Sequence, residues 1–435
     1  MKPSRYNHFV PVDGKLYAFN CLSEKFFPVP PGREETYREL LNKPELYAED
    51  FAAFYDKMLA GGFILEDDAD EMEMVRKKYE MMRRPWEYSL MVMPTYSCNL
   101  RCWYCIQDHV NVSLPDEYFD RLKRHFDTVV KRDDIKVVKL WWFGGEPMIK
   151  YDKVLDLNLY VKHLCEENGK TFSANITTNS TLLTPERVDR LRESGVDHYQ
   201  ISIDGPKRIH DTVKVLPNRS AFDHALAIVD YIARTTSIIL RFNFTKDSLL
   251  PEEVFQDIDN RLSLPARQNI LFHIYKVWQE KESPALTHRA EQLYDLCLQH
   301  NIRPMFDTKE LCYSDGKNYW CLLPNGKIDK CDHNGLDKGS GGISVNGDLV
   351  WTDKTGHDTP VIDLENCECT SCKFFPNCWG PCAASRQSAI LSHKPITCVF
   401  GQDRDTRIMT SFSNYLKVRI GFYTNPPLTP INKLE

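Results

Sequence analysis

The sequence has no apolar run that approaches the eighteen or so residues of a membrane span. Its opening stretch, Met-Lys-Pro-Ser-Arg-Tyr-Asn-His-Phe-Val-Pro-Val-Asp-Gly, has none of the apolar continuity of a secretory signal. The expectation is a cytoplasmic protein with no membrane partner. An excess of positive charge is missing too: 55 Lys and Arg stand against 61 Asp and Glu, a formal net charge of −6. No basic tract offers the counter-charge that a nucleic-acid backbone needs, so no nucleic-acid partner is expected. No short internal repeat or low-complexity tract is evident. At 435 residues the chain has room for two or three domains. Cysteine, by contrast, is plentiful, with fifteen in all. In a small secreted domain that would suggest disulfides; in a long chain without an export signal it suggests metal.

Three cysteines lie close together in Cys98-Asn-Leu-Arg-Cys102-Trp-Tyr-Cys105, a C-x3-C-x2-C spacing. Three thiolates on a four-iron cube leave one iron without a protein ligand. An incomplete coordination shell is of no use to a structural site but suits one that must bind and activate a small molecule. A zinc knuckle is the competing reading of the spacing alone.

The segment that follows alternates strand and helix. Strands are expected over 89–94, 137–143, 172–178, 198–203, 238–244 and 270–277, with helices over 116–130, 152–167, 185–194, 221–234, 251–260 and 286–300. Six β-then-α steps indicate a parallel sheet with helical crossovers. In such folds the chemistry sits at the C-terminal ends of the strands. The cysteine loop follows the first strand, and Gly144-Gly145-Glu146-Pro147 follows the second. Glycines there let backbone approach a ligand closely. Asn179 ends the third strand, Ser202 and Asp204 end the fourth, and Arg241 lies on the fifth. His210, Lys214 and Arg219 come just after the fourth.

The cysteine loop, the Gly-Gly-Glu-Pro turn and the strand-end polar residues together resemble the radical S-adenosylmethionine (SAM) superfamily. The resemblance implies a partial (β/α)6 barrel of α/β class. It implies a [4Fe–4S] cluster on Cys98, Cys102 and Cys105, its open iron chelated by SAM. Reduction of the cluster and cleavage of SAM would release a 5′-deoxyadenosyl radical. Tyr104 would lie beside the adenine, Gly144, Gly145 and Glu146 at the SAM amino group, Ser202 at its carboxylate and Asp204 near the ribose, with Asn179 a neighbour. An arginine commonly stands near Lys214 in the family; either Arg219 would supply the fork that a lysine lacks or the carboxylate would be held differently, and Arg241 on the fifth strand would reach the cavity.

Nine cysteines fall between 312 and 398. Cys312 precedes Gly326 by thirteen intervening residues, Cys331 completes a G-x4-C, and Cys369-x2-Cys372-x5-Cys378-x3-Cys382 and Cys398 follow. This order resembles the SPASM extension of radical SAM peptide-modifying enzymes. The resemblance implies two auxiliary [4Fe–4S] clusters, three in all. Cys312, Cys321, Cys331 and Cys382 would hold one, and Cys369, Cys372, Cys378 and Cys398 the other. Four-cysteine zinc sites are the alternative. If Cys321, expected in a hairpin strand, points away, the first set has an open iron. Cys367 lies close enough to the second set to substitute. By the same resemblance, Asp332 beside Cys331 would serve as the catalytic base, with His333 and Asp403 as weaker candidates.

The expected division is 1–85, a winged-helix-like element for a peptide leader; 86–305, the barrel; 306–410, the SPASM domain; and 411–435, a tail. In the first element, strand–turn–strand around Asp13-Gly14 precedes helices over 34–41 and 48–59, a strand at 63–65 and a helix within 66–84. The implied function is modification of a ribosomally made precursor peptide, through a carbon–carbon or thioether cross-link, with flavodoxin or ferredoxin as electron donor. A formylglycine-forming sulfatase maturase, a small-molecule SPASM dehydrogenase and a non-catalytic, metal-stabilised peptide-binding protein are the alternatives.

Overall fold

The computed structural model describes residues 1–46, 52–107, 109–281, 283–305, 311–332, 336, 339–352, 362, 368–398 and 400–424. Cys367, His333, the start of the helix expected over 48–59 and the end of the expected tail lie outside the described residues. The chain divides into two compact units that are not consecutive segments. One comprises the described residues of Met1–Arg84, Phe306–Gly316 and Thr359–Thr424; the other comprises those of Pro85–Met305 and Lys317–Asp358.

The second unit is built on six parallel strands in sequence order: β1 (Glu87–Val92), β2 (Val137–Trp142), β3 (Thr171–Thr178), β4 (Val196–Ile203), β5 (Ile238–Phe244) and β6 (Ile270–Lys276). Helices Asp116–Val129, Tyr151–Glu167, Pro185–Glu193, Ala221–Ala233 and Pro251–Asp259 make the crossovers. Alternation along the strands assigns their faces. Leu90, Leu140, Ile176, Ile201, Leu240 and Phe272 face the helices and are fully buried or nearly so. Lys139, Trp141, Asn175, Thr177, Gln200, Ser202 and Arg241 alternate with them on the other face and are only half-buried. One face thus forms the core; the other is a polar surface reaching the strand ends where the cysteine loop begins.

The sheet runs beyond the six expected strands. Arg303–Met305 pairs parallel with β6, and Asn318–Leu322 pairs parallel with β1 before an antiparallel meander of Lys327–Asp329, Gly341–Ile343 and Leu349–Trp351. The strand carrying Cys321 therefore belongs to a hairpin, as expected, and also extends the main sheet.

In the first unit, Asn7–Val12, Lys15–Asn20 and Lys25–Val29 form an antiparallel sheet, followed by helices Glu34–Asn42, Ala52–Ala60 and Glu71–Met82. Asp13 and Gly14 both have positive φ, +46° and +75°, as a two-residue hairpin turn of matching twist requires. Asp70 caps the third helix by accepting from the backbone N–H of Met72 and Glu73 at 2.9 and 3.1 Å. The middle strand is covered on both faces. Ala18 packs with Leu41, Met58 and Phe63, while Tyr17 and Phe19 pack with Phe374, Trp379, Ile408 and Phe412. Residues 1–84 thus share a core with the C-terminal segment and do not stand apart. Helix Arg404–Thr424 is not a loose tail: Ile408, Phe412 and Leu416, four residues apart, form its buried stripe.

Three buried histidines give the fold a pH dependence. In the second unit His125 accepts from the Tyr88 hydroxyl at 2.6 Å through Nε2 and donates from Nδ1 to the Gly347 carbonyl at 2.8 Å. Burial pushes its pKa down, with Arg132 adding to that and Asp348 opposing it. His8 and His210 are pushed down to about 4 by burial. A lowered folded-state pKa means the neutral form is the one stabilised. The contribution is complete above the unfolded value of about 6.5 and is lost as pH falls toward the folded value. Denaturant melts between pH 7 and 4 should show falling stability, and His125→Asn should reduce the slope by about one proton.

Candidate cluster and cofactor site

The cysteine loop leaves β1 through a neck of backbone hydrogen bonds. Tyr96 N–H donates to the Val112 carbonyl and Leu114 N–H to the Pro94 carbonyl, both at 2.9 Å. Gly144 and Gly145, just past β2, pack directly on this neck. A Cβ on Gly144 would meet the Thr95 carbonyl oxygen at 2.5 Å, and one on Gly145 would meet the Ser97 and Tyr96 oxygens at 2.3 and 2.4 Å. No side chain fits there. The close approach allows Gly145 N–H to donate to Thr95 and Glu146 N–H to Ser97, both at 2.9 Å.

Glu146 is fully buried. Its Oε1 accepts from Met148 N–H at 3.0 Å and the Thr178 hydroxyl at 2.7 Å; its Oε2 accepts from Asn179 N–H at 2.8 Å. Burial raises its pKa, and the three donors work against that rise. These bonds tie the end of β2 to the end of β3. Asn179 continues the link, its side-chain N–H donating to Asn99 at 3.0 Å and approaching the Cys98 sulfur at 3.6 Å. Asn99 in turn donates to the Thr181 hydroxyl at 2.7 Å.

A second polar group lies at the ends of β4 and β5. Asp204, 3% exposed, accepts a short hydrogen bond from the Tyr104 hydroxyl. Asn243 on β5 donates to the same tyrosine at 3.2 Å and to Asp204 at 3.4 Å. Lys214, 2% exposed, donates to the Ser202 hydroxyl and carbonyl at 2.7 and 2.6 Å and lies 3.2 Å from Asp204 Oδ2. Burial pushes the Asp204 carboxyl up; Lys214, His210 and the Tyr104 hydrogen bond together outweigh it and hold it below its ordinary value. His210, itself pushed down to about 4, is neutral near pH 7, so Lys214 is the effective cation.

The expected residues separate accordingly. Tyr104, Ser202 and Asp204 come together, and Arg241 joins them by donating to Asn243 at 3.1 Å while its guanidinium stacks 3.7 Å from the Tyr275 ring centre. Arg219 does not join them: it is exposed and donates to the Thr181 carbonyl at 2.9 Å. The buried cation is Lys214. Asn243 and Lys214 were not assigned as site residues from the sequence, although Asn243 stands two residues from Arg241 and so on the same strand face.

The residues fit a cluster held by thiolates. Cys98, Cys102 and Cys105 are half-buried on one loop. Burial pushes the Cys98 thiol up and that of Cys102 up to about 11, so metal must displace protons to bind. Among the described residues no three His, Cys, Asp or Glu side chains converge on a point that could hold a single metal ion. A four-iron cube spaces its thiolates more widely than one ion does.

Among the other expected ligands, Cys369, Cys372, Cys378 and Cys398 all lie in the first unit. Their loop turns at Trp379 and Gly380, with φ of +53° and +69°, and a Cβ on Gly380 would stand 3.1 Å from the Cys369 sulfur. Cys312 and Cys382 are also in the first unit, whereas Cys321 and Cys331 belong to the second. Cys321 is fully buried, and its thiol is pushed well up by burial and by Asp332, Cys331 and Asp329 nearby. Asp332 is 5% exposed.

Residues 92–257 match the Radical SAM superfamily, so the chain carries a radical SAM domain. Among curated proteins it is 32% identical over 168 residues to the AdoMet-dependent heme synthase of Nitratidesulfovibrio vulgaris, covering 38% of this chain and 41% of that one. It is 32% identical over 119 residues to the GTP 3′,8-cyclase of Rhodopirellula baltica, covering 27% and 31%. The chain thus spans less than half the length of these relatives. Among solved structures, native anSMEcpe with bound AdoMet aligns over 78% of this chain and 97% of its own, at TM-score 0.52 and 18% identity. The same protein with AdoMet and Cp18Cys peptide aligns at TM-score 0.50 and 17% identity, again covering 78% and 97%. These likenesses concern the fold: an α/β radical SAM fold around a mostly parallel sheet.

Gly145→Ala is expected to displace the neck below Cys98. Anaerobically reconstituted protein should lose about four iron per chain, the content of one cube, with the far-ultraviolet spectrum retained. Undiminished iron would show that the loop tolerates the added carbon.

Proposed function

We propose that this protein is a radical SAM peptide maturase that installs an intramolecular carbon–carbon or thioether cross-link in a ribosomally made precursor. The observation that carries the reading is the meeting, at one end of a parallel sheet, of a three-cysteine loop braced by Gly144-Gly145 and a buried Tyr104–Asp204–Lys214 group. When bound, the cluster supplies one electron to the SAM sulfonium, giving methionine and a 5′-deoxyadenosyl radical able to abstract a substrate hydrogen atom.

The chain's own residues do the rest. Glu146 and Asn179 hold the cysteine loop against β3. Lys214 orients the Ser202 hydroxyl and offers positive charge for the SAM carboxylate, and Tyr104 and Asn243 line the adenosine side. The polar face of β2 to β5, from Trp141 to Arg241, receives the substrate. Asp332 is the base that takes the proton released as the new bond forms. Cys312, Cys321, Cys331 and Cys382 would hold one auxiliary cluster and Cys369, Cys372, Cys378 and Cys398 a second, which would supply an acceptor for the remaining electron.

A peptide substrate is favoured by the three-stranded sheet of the first unit, whose outer strand Lys25–Val29 is able to pair with an extended chain. The fold it shares with anSMEcpe, solved with AdoMet and a peptide, is consistent with this and keeps formylglycine formation as the second reading. Flavodoxin or ferredoxin is the proposed electron donor. Reduced, reconstituted protein given SAM should release 5′-deoxyadenosine, and a cognate peptide co-expressed with it should lose about 2 Da, two hydrogen atoms, per cross-link. Nucleoside release with unchanged peptide mass would reject the cross-link; no release from a fully loaded cluster would reject the enzyme.

A further inference from the structure

Among the described residues of the first unit one ion pair is almost completely buried, and it joins two segments that each begin at a cysteine. Asp315 and Arg386 join by a short contact, with both side chains 3% exposed. Removing two charges from water is costly, and a pair of apolar side chains is often at least as stable. What distinguishes this pair is what each partner holds. Asp315 closes the short 3-10 turn Tyr313–Asp315 that follows Cys312, its N–H donating to the Cys312 carbonyl at 2.8 Å. Arg386 lies in helix Ala383–Leu391, for which Cys382 is the N-cap. Its N–H donates to the Cys382 carbonyl at 3.0 Å and its guanidinium to the Pro381 carbonyl. Arg83 adds a bond to the Asp315 carbonyl at 3.1 Å, and Ser385 stands 3.1 Å from the Cys382 sulfur as a donor to a thiolate there.

Resting on the reading of Cys312 and Cys382 as ligands of one auxiliary cluster, we propose that Asp315–Arg386 is a positioning pair for that cluster, fixing the two cysteine backbones relative to each other. The guanidinium is suited to this because its planar fork serves a carboxylate and a carbonyl at fixed angles, which an apolar contact does not. Neither residue touches the reacting atoms.

The test compares anaerobically reconstituted wild-type protein with Arg386→Met and with the double variant Asp315→Leu/Arg386→Met, which removes both charges of the pair. Iron and sulfide per chain, far-ultraviolet circular dichroism and the electron paramagnetic resonance spectrum after reduction are the readouts. Wild type should bind about twelve iron, three cubes of four. Both variants should keep their secondary structure and fall to about eight, while retaining the spectral change on SAM addition that reports the cluster on Cys98, Cys102 and Cys105. Cys382→Ala should give the same loss, and adding Arg386→Met to it should remove no further iron. A full iron complement in either variant overturns the proposal. So does loss of all iron with loss of folded signal, since the pair would then serve only to hold the unit together. Wild type binding only about four iron would instead reject the auxiliary clusters themselves.

Discussion

The fully buried carboxylate of Glu146 organises the site. A carboxylate removed from water must be met by donors, and an unmet one costs several kcal/mol, on the order of a sizeable fraction of a domain's stability. Here the three donors come from Met148, Thr178 and Asn179, so satisfying one side chain fixes the turn after β2 against the end of β3. That turn carries Gly144 and Gly145, whose bare backbones sit on residues 95–97. The place from which the cysteine loop departs therefore depends on a carboxylate at the end of the neighbouring strand. Three half-exposed thiols on a long loop would otherwise pay a large entropy to meet one cluster. The neck and its glycine brace pay part of that in advance.

Lys214 shows a second desolvation problem solved differently. Its ammonium is 2% exposed and faces Asp204 at 3.2 Å, with both remaining strong contacts on Ser202. An arginine would present a wide fork. A lysine presents a compact charge with three donors that rotate, and here those donors converge on one strand end and one carboxylate. Arg241, held in the sheet face by Asn243 and by the Tyr275 ring, brings a second cation near the same strand ends.

Strand and helix positions within the second unit were legible because each crossover is local. Period-two alternation over β5 and the capped apolar helices between strands place those elements within one or two residues. The cysteine loop and the Gly-Gly-Glu turn were legible for the same reason: their spacing is short and their residue types are rare. What was not legible is long-range pairing. Nothing local in Asn318–Leu322 says that its far edge joins β1, two hundred residues earlier. Nor does the Phe19 face of the hairpin announce that its cover is a helix at 404–424, although the stripe of Ile408, Phe412 and Leu416 did mark that helix as needing a partner. The placement of Lys214 and Arg219 was not legible either: the short helix Lys207–Val213 delivers the lysine to Asp204 and leaves the arginine on an exposed loop.

The two units rest on different physics. The second has a continuous apolar core between sheet and helices, and apolar burial of that extent stabilises without metal. In the first unit the hairpin sheet is well packed, but the segment from 368 to 398 has short turns, few fully buried side chains and many cysteines. Its apolar anchors are Phe374, Phe375 and Trp379, packed against Tyr79 and the hairpin. Metal binding to preset thiols is folding free energy for a segment of this kind. A metal contributes that energy only if its ligands are already near their final places, since every unplaced ligand subtracts its ordering entropy from the binding. The left-handed turn at Trp379–Gly380 and the aromatic anchors beside it reduce that entropy in advance, so packing presets the thiols that the proposed auxiliary cluster would bind.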